Sequence, residues 1–478
     1  MKSLKEMSFE ELNDYAKSIR DNIIKSTSVN GGHLSSNLGV VELTMAIHRN
    51  FDIENDTLIF DVSHQCYTHK LLTGRSLDFL RKMDGVSGFS NPKESQYDMY
   101  ALGHSSTSIS IAIGEAIRNK VEGIVKNIIV VIGDASISNG VAIEALNYLG
   151  TLKDIKVIVI INDNNKGISY NVGSIAKTLN NVRIKRHKVT KSGNLKYTLL
   201  DRIKMGIKGS IYDKSIFDSF NLKYFSGIDG HNFKVLDKYL TYAKNYPSSI
   251  ILHVKTIKGK GLEKAQNDKL GLWHNINGID QYGNLIVGPK TVGNYLSEEL
   301  IKLHDDYSFK VVCPGMVLGC GLEEFNKTYP NDLIDVGIAE ENAIAISIGL
   351  SSETVTPIVF MYSTFLSRSL DEILDASRMN KHLVICLDRC GIVQSDGETH
   401  QGIFDLSYLS MIPNIKIYSP SNIIEAKHYL SKAIEEDGLV IIRYPKVLPI
   451  GEETDNVNGF KEILPIKDIN VITYGRSV

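Results

Sequence analysis

The stretch that most constrains this chain runs from Asn127 to Ser169, NIIVVIGDASISNGVAIEALNYLGTLKDIKVIVIINDNNKGIS. Ile128 to Ile132 and Val157 to Ile161 are short β-branched apolar runs, as expected of strands covered on both faces. Between them lies a helical pattern, so the unit reads as strand, turn, helix, strand, turn, with a right-handed crossover joining two parallel strands. Each strand ends in a polar cluster, Gly133-Asp134-Ala135-Ser136 and Asn162-Asp163-Asn164. Both clusters therefore fall at the carboxyl edge of one sheet, where open α/β folds bind ligands. The separation of Asp134 and Asn164 (164 − 134 = 30) suits a strand-to-strand repeat through one helix. A carboxylate, an amide oxygen and a nearby backbone carbonyl form a hard-oxygen site for Mg2+ or Ca2+. The plainer alternative is that Asp134 caps the following helix and Asn162 to Asn164 form a polar turn.

A chain of 478 residues has room for two to four domains, each with its own core. The apolar share of 43% and charged share of 23% are those of a soluble globular protein. A formal net charge of −2 gives no reason to expect nucleic acid or an anionic membrane as partner. The amino terminus is too charged for a signal peptide, and no apolar run approaches a membrane span. The cysteines, at 66, 313, 320, 386 and 390, are scattered without a C-x-x-C pair, which predicts reduced thiols in a cytoplasmic protein.

Taken in order, the first amphipathic helix is expected to give way at Ser26 to a glycine- and serine-rich loop reaching Gly39, followed by the helix VVELTMAIHRNF. The strand LIF ends at Asp61 and is followed by His64 and His69, better suited to phosphate or substrate contact than to zinc, which lacks a third ligand nearby. Gly103-His104-Ser105-Ser106 opens a long helix, offering backbone N–H groups to an anion or simply an N-cap at Ser105 or Ser106. Asn171 to Lys223 reads as a polar excursion packing over the ligand face. The strand SIILHV runs into Lys258-Gly259-Lys260-Gly261, a cationic turn suited to phosphate or to plain solvation. After a glycine-rich connection ending near residue 290, a second βα series collects polar residues at its strand ends: Glu340, Tyr362, Arg389, Asp396, His400 and Arg443. Two α/β domains with residues gathered at the same kind of edge suggest one shared cleft. The final EILPIKDINVITYGRSV holds one more strand, which either joins the second sheet or opens a third domain.

The Gly-Asp and Asn-Asp-Asn pair is similar to the diphosphate-and-metal signature of thiamine diphosphate enzymes. DVSHQCYTHKLLTGR, LGHSSTSIS, YSTFLSR and DGETHQGIFDLSYLSMIPNIKIYSPS together resemble the 1-deoxy-D-xylulose-5-phosphate synthase family, from about residue 20 to the end. The resemblance implies an α/β fold with two thiamine diphosphate-binding-type domains, each a parallel sheet flanked by helices. Residues 1–290 would form the diphosphate- and metal-binding domain and 291–455 the pyrimidine-binding domain. Residues 456–478 would begin a C-terminal transketolase-like domain that is otherwise largely absent. It further implies thiamine diphosphate and Mg2+ as cofactors, a cytoplasmic homodimer, and condensation of pyruvate, with decarboxylation, and D-glyceraldehyde 3-phosphate. A transketolase-like paralogue with another donor, and a weakly active cofactor-binding subunit of a split assembly, are the alternatives.

Carried over residue by residue, the resemblance assigns Asp134, Asn164 and the Lys166 carbonyl to the metal. His64, Gly103, His104, Ser105, Gly133, Ala135, Ser136, Asn164 and Lys258 fall to the diphosphate region, Ile168 beneath the cofactor and Phe365 on its aminopyrimidine. Glu340 matches the family's essential glutamate, hydrogen-bonded to a ring nitrogen and promoting the imino form. His33, His274, Asp396 and His400 would line the substrate cleft as catalytic groups, and Tyr362, Arg368, Arg389 and Arg443 would bind substrate. Departures from the family pattern fall at Ser63 and Ala135 (each a glycine in the family), at Pro92 in place of an arginine, at Glu341-Asn342, and at Lys446-Val447.

Overall fold

The computed structural model describes residues 2–167, 171–182, 184, 216–393 and 397–451. The chain divides into two compact units, Met1–Ile286 and Val287–Val478. Among the described residues, no helix is long and apolar enough to cross a membrane. Expectations for Ile168, Asp396, most of the polar excursion and the terminal strand lie outside the described residues.

The first unit is built on five parallel strands in the order β1-β2-β3-β5-β4. They are β1 (Thr57–Phe60), β2 (Ile128–Gly133), β3 (Ile158–Asp163), β4 (Lys223–Asp229) and β5 (Ile250–Lys255). The period-2 alternation of a strand divides the apolar runs between two cores. Ile129, Val131, Ile158 and Ile160 join one core, and Ile128, Val130, Ile132, Val159 and Ile161 the other. Both faces are therefore dry, which is why these strands carry no polar alternation. The helix Gly140–Leu149 makes the crossover from β2 to β3, and Gly133 lies opposite Asn162 in the register. The two polar clusters thus leave the sheet side by side, as their spacing predicts.

Two local expectations need correction. The first helix spans Phe9–Asn30, past Ser26. Thr27 and Ser28 turn their hydroxyls back onto the carbonyls of Ile23 and Ile24 (2.7 and 2.6 Å), so these residues continue the helix instead of breaking it. The supposed loop before Gly39 contains a further short helix, Leu34–Gly39. The helix after Gly103 starts only at Ser108 (Ser108–Glu122), and neither Ser105 nor Ser106 caps it. Buried Asp61, just past β1, accepts the Ser106 N–H at 2.9 Å and the Ser108 hydroxyl at 2.6 Å. A carboxylate from another element does the capping, and it occupies an N–H group that an anion would otherwise use.

The second unit carries a six-stranded parallel sheet of order β10-β11-β9-β8-β6-β7. Its strands are β6 (Phe309–Cys313), β7 (Leu333–Asp335), β8 (Thr356–Tyr362), β9 (Leu383–Asp388), β10 (Ile415–Tyr418) and β11 (Leu439–Arg443). Tyr362 is the last residue of β8, Arg389 follows β9, and Arg443 ends β11, so all three leave adjacent strands at one edge. After β8 the chain runs through a 3₁₀ stretch, Ser363–Ser369, into a helix, Leu370–Arg378.

Candidate active site

In the first unit, the Asp134 carboxylate accepts the Asn164 N–H at 3.1 Å and the Ala135 N–H at 3.0 Å. The cap of helix Gly140–Leu149 is Asn139, whose side chain accepts the Val141 N–H at 3.1 Å, so the plainer capping role for Asp134 does not hold. Asn164 Oδ1 accepts the Lys166 N–H at 3.2 Å, curling the turn so that Asn164 and Lys166 belong to one small loop. Burial, and then the neighbouring Asp163, push the Asp134 carboxyl well above its usual range. A buried carboxylate beside another acid is unfavourable by itself, and a divalent cation relieves both burdens, so the donor set fits a hard cation. Among the described residues, no three His, Cys, Asp or Glu side chains gather as a metal site. That agrees with a donor set holding a single carboxylate.

Asp163 plays a different part from its neighbours. It points into the sheet, where its Oδ2 accepts from His253 Nε2 at 2.5 Å and Lys255 Nζ at 2.8 Å. Its Oδ1 accepts the Asn165 N–H at 3.0 Å, and Asn165 takes the left-handed conformation at φ 66°. Burial opposes ionisation, but His253 and Lys255 outweigh it and hold Asp163 as an anion. The carboxylate thereby fixes the turn that presents Asn164. Lys258 is buried, donates to the Gly167 carbonyl, and is pushed down to about 8 by burial. It remains mostly cationic at neutral pH, as a diphosphate contact requires.

Three of the nominated histidines meet. The ring centroids of His33 and His64 lie 5.2 Å apart, His64 and His274 5.4 Å, and His33 and His274 5.6 Å. The pair Gly31-Gly32 makes this possible. Gly32 exchanges hydrogen bonds with Ile276 in an antiparallel bridge, and a Cβ at Gly31 would stand 2.6 Å from the Ile276 carbonyl oxygen. Both glycines have positive φ, so the backbone can pass close to the segment carrying His274. Asn37 ties the cluster together, donating to the His33 and His64 carbonyls at 2.6 and 2.8 Å and accepting the Tyr67 N–H at 2.8 Å. Burial drives the His274 imidazole far below its ordinary range, so it is neutral at physiological pH. Gly103 and Ser105 are buried and His104 is half-buried in the loop anchored by Asp61. Ser136 is buried after β2, between half-buried Ala135 and the Ser106 hydroxyl, which donates to the Ser136 carbonyl at 2.9 Å.

In the second unit, Glu340 opens the helix Glu340–Leu350 and is buried. Its carboxyl is pushed up to about 7 by burial, with Arg368 pulling the other way from 3.8 Å. Arg368 thus faces the catalytic candidate. Phe365 lies between Tyr362 (centroids 5.8 Å, near-parallel) and His400 (5.7 Å, edge-on). The Arg389 guanidinium sits over the Tyr362 ring at 3.9 Å. The Tyr362 hydroxyl packs on Gly319, where a Cβ would come within 1.9 Å. Arg443 is gripped by buried Asp405 through Nε (2.8 Å) and Nη2 (3.3 Å), and its Nη1 reaches Ser419 at 3.3 Å.

Residues 1–256 match the family model for 1-deoxy-D-xylulose-5-phosphate synthase, and residues 293–449 that for the transketolase pyrimidine binding domain. The chain belongs to the 1-deoxy-D-xylulose-5-phosphate synthase family. It is 40% identical to the synthase of Clostridium tetani over 99% of its own length and 80% of that protein's. It is also 40% identical to the synthase of Clostridium kluyveri, over 93% of this chain and 74% of the relative. Among solved structures, a transketolase from Campylobacter jejuni aligns with 94% of this chain and 81% of its own, at 16% identity and a TM-score of 0.44.

Two departures from the family pattern have local explanations. Ser63 stands at φ 66°, where a glycine pays no steric cost. Its hydroxyl compensates, donating to the Leu102 carbonyl at 2.6 Å and accepting the Ser90 N–H at 2.9 Å. Ala135 has ordinary helical angles (φ −74°, ψ −43°), so its backbone needs no glycine. Sequence reasoning missed Asn37, Asp163, Gly319 and Asp405. Asp163 and Asp405 lie inside motifs already singled out; Asn37 and Gly319 carry no local signal.

Proposed function

We propose that this chain is a thiamine diphosphate- and Mg2+-dependent synthase joining pyruvate, with decarboxylation, to D-glyceraldehyde 3-phosphate to give 1-deoxy-D-xylulose 5-phosphate. The observation that carries the reading is the juxtaposition of Asp134 and Asn164 at the carboxyl edge of one sheet, in a chain of this family. Asp134, Asn164 and the Lys166 carbonyl would hold the cation, and His64, Gly103, His104, Ser105, Gly133 and Lys258 the diphosphate. When bound, thiamine diphosphate supplies an electron sink for decarboxylating a 2-oxo acid.

The protein's own residues do the rest. Glu340, whose buried carboxyl is raised to about 7, is placed to hold or release a proton near neutral pH and would hydrogen-bond a ring nitrogen of the cofactor. Phe365 offers an aromatic face. Neutral His274, beside His33 and His64, relays protons without adding charge to the donor side. Arg389, Arg443 and Tyr362 read the acceptor phosphate, with Asp405 fixing the plane of the Arg443 guanidinium. A cytoplasmic homodimer is part of the same reading, as are residues 1–290 as the diphosphate domain and 291–455 as the pyrimidine domain.

The test supplies pyruvate, glyceraldehyde 3-phosphate, thiamine diphosphate and Mg2+ to the full chain, and follows carbon dioxide release and the five-carbon product by mass spectrometry. Release of both, dependent on both cofactors, is expected. Carbon dioxide without the five-carbon phosphate, or neither with a cofactor-loaded protein, overturns the assignment.

A further inference from the structure

A cluster of buried charges lies beside the histidine triad and is not used by the proposed chemistry. Glu94 and Asp98 belong to the segment Ser87–Asp98, and each carboxylate is gripped from two sides. On the protein side, Asp98 receives Arg75 at 2.7 and 3.0 Å and His69 Nε2 at 3.1 Å. Glu94 pairs with Lys70, and Arg75 lies 3.7 Å from it. On the segment's own side, Asp98 accepts the Asn91 N–H at 2.7 Å and Glu94 accepts the Ser87 N–H at 2.6 Å. The Lys70 side chain is 0% exposed, as is that of Asp98. Behind His69, His48 Nε2 lies 2.9 Å from His69 Nδ1, so that the imidazole facing Asp98 is held by a second one.

Burial alone would raise the Asp98 carboxyl, yet His69 and Arg75 hold it below the usual carboxylate range, so it stays an anion. Burial lowers both His48 and His69, which act as neutral links in a chain of hydrogen bonds. Ions this deep gain little net stability over apolar residues of similar size, but they fix geometry to within a hydrogen-bond length. What they fix lies between the anchors. Phe89 stands edge-on to His33 at 5.4 Å, and the Ser90 N–H reaches Ser63.

We propose that Glu94 and Asp98, clamped by Lys70, Arg75 and His69, are positioning residues that seat Phe89 against His33 and so shape the donor-binding side of the site. The proposal rests on the synthase reading for its donor. Neither carboxylate touches substrate; each acts through the segment it pins. Asp98→Asn keeps an acceptor for the Asn91 N–H but loses the charge that pairs with Arg75. Glu94→Gln does the same towards Lys70 at a less buried position.

The experiment compares both variants and Phe89→Ala with the wild type, as full chains loaded with thiamine diphosphate and Mg2+. Asp98→Asn and Glu94→Gln should each raise the KM for pyruvate about tenfold, the effect of losing roughly one charge-assisted bond. Affinity for thiamine diphosphate should stay within about twofold and kcat should change less than KM. Amide exchange should quicken at Ser87, Ser90 and Asn91. Phe89→Ala should reproduce the KM change with exchange at Ser87 and Asn91 unaltered. An unchanged KM in the two carboxylate variants overturns the proposal, as does unchanged exchange at Ser87 and Asn91. If the wild type leaves pyruvate untouched, the synthase reading fails instead. The clamp is then judged by exchange at those amides and by the His33 ring resonances, which must shift in Asp98→Asn for it to stand.

Discussion

The Asp134 carboxylate accepts the Asn164 N–H at 3.1 Å, although a whole crossover helix and a strand separate the two residues in sequence. The bond places a carboxylate and a side-chain amide at one point on the sheet edge. Asp134→Ala should therefore abolish Mg2+-dependent binding of thiamine diphosphate while leaving the fold intact. Calorimetry checks this, and an unchanged affinity would remove Asp134 from the cofactor site.

Glu340 should matter more to chemistry than to affinity. Glu340→Gln should retain the cofactor yet lose proton exchange at its thiazolium carbon, followed by NMR. Wild-type exchange in that variant excludes Glu340 from the mechanism.

The same residue predicts a pH dependence. Burial raises its folded-state carboxyl from an ordinary 4.5 to about 7, so the unfolded chain ionises it first. Its neutral form favours folding, with the benefit fully present below pH 4.5 and lost as pH rises through 7. In the cofactor-free protein, Glu340→Gln should match the wild type at pH 4. It should be more stable at pH 8, by up to about 3 kcal/mol for a shift of this size. Denaturant unfolding at the two pH values measures the difference, and equal stabilities at pH 8 contradict it.

At Ser63 the strain of a positive φ and two hydroxyl bonds act against each other. Ser63→Ala keeps the strain and loses the bonds, and should cost about 2 kcal/mol. Ser63→Gly loses the bonds but also the strain, about 1–2 kcal/mol, and should be less destabilising. If glycine proves more damaging than alanine in chemical denaturation, the positive φ at Ser63 carries no strain for glycine to relieve.

Arg443 leaves β11 at the same sheet edge as Tyr362 and Arg389, and Asp405 fixes the plane of its guanidinium there. Arg443→Ala should lower kcat/KM for glyceraldehyde 3-phosphate roughly ten- to hundredfold more than for unphosphorylated glyceraldehyde. Equal losses for both acceptors mean that Arg443 serves Asp405 alone.

The alternation of β-branched runs with helical stretches determined both parallel sheets, because strand burial and helix periodicity are written within windows of a few residues. The same logic placed Asp134, Asn164, Tyr362, Arg389 and Arg443 at strand ends, since a parallel sheet must end all its strands at one edge. The tertiary structure alone decided who meets whom there. It turned Asp163 inward to His253 and left Asn164 facing out, gave the Ser108 helix its cap from Asp61, and committed Arg443 to Asp405. It also gathered His33, His64 and His274, and pressed Phe89 on His33 through Glu94 and Asp98. None of these pairings has a local signal, because each joins separate elements and depends on how they dock. Positive-φ positions such as Gly31 and Ser63 are read as loop residues in a sequence, and only the packed chain shows which of them permits a close approach. The physical reason is range: propensity and periodicity act over one or two turns of chain, whereas a buried charge or an imidazole takes its partner from whatever the folded core brings within a hydrogen bond.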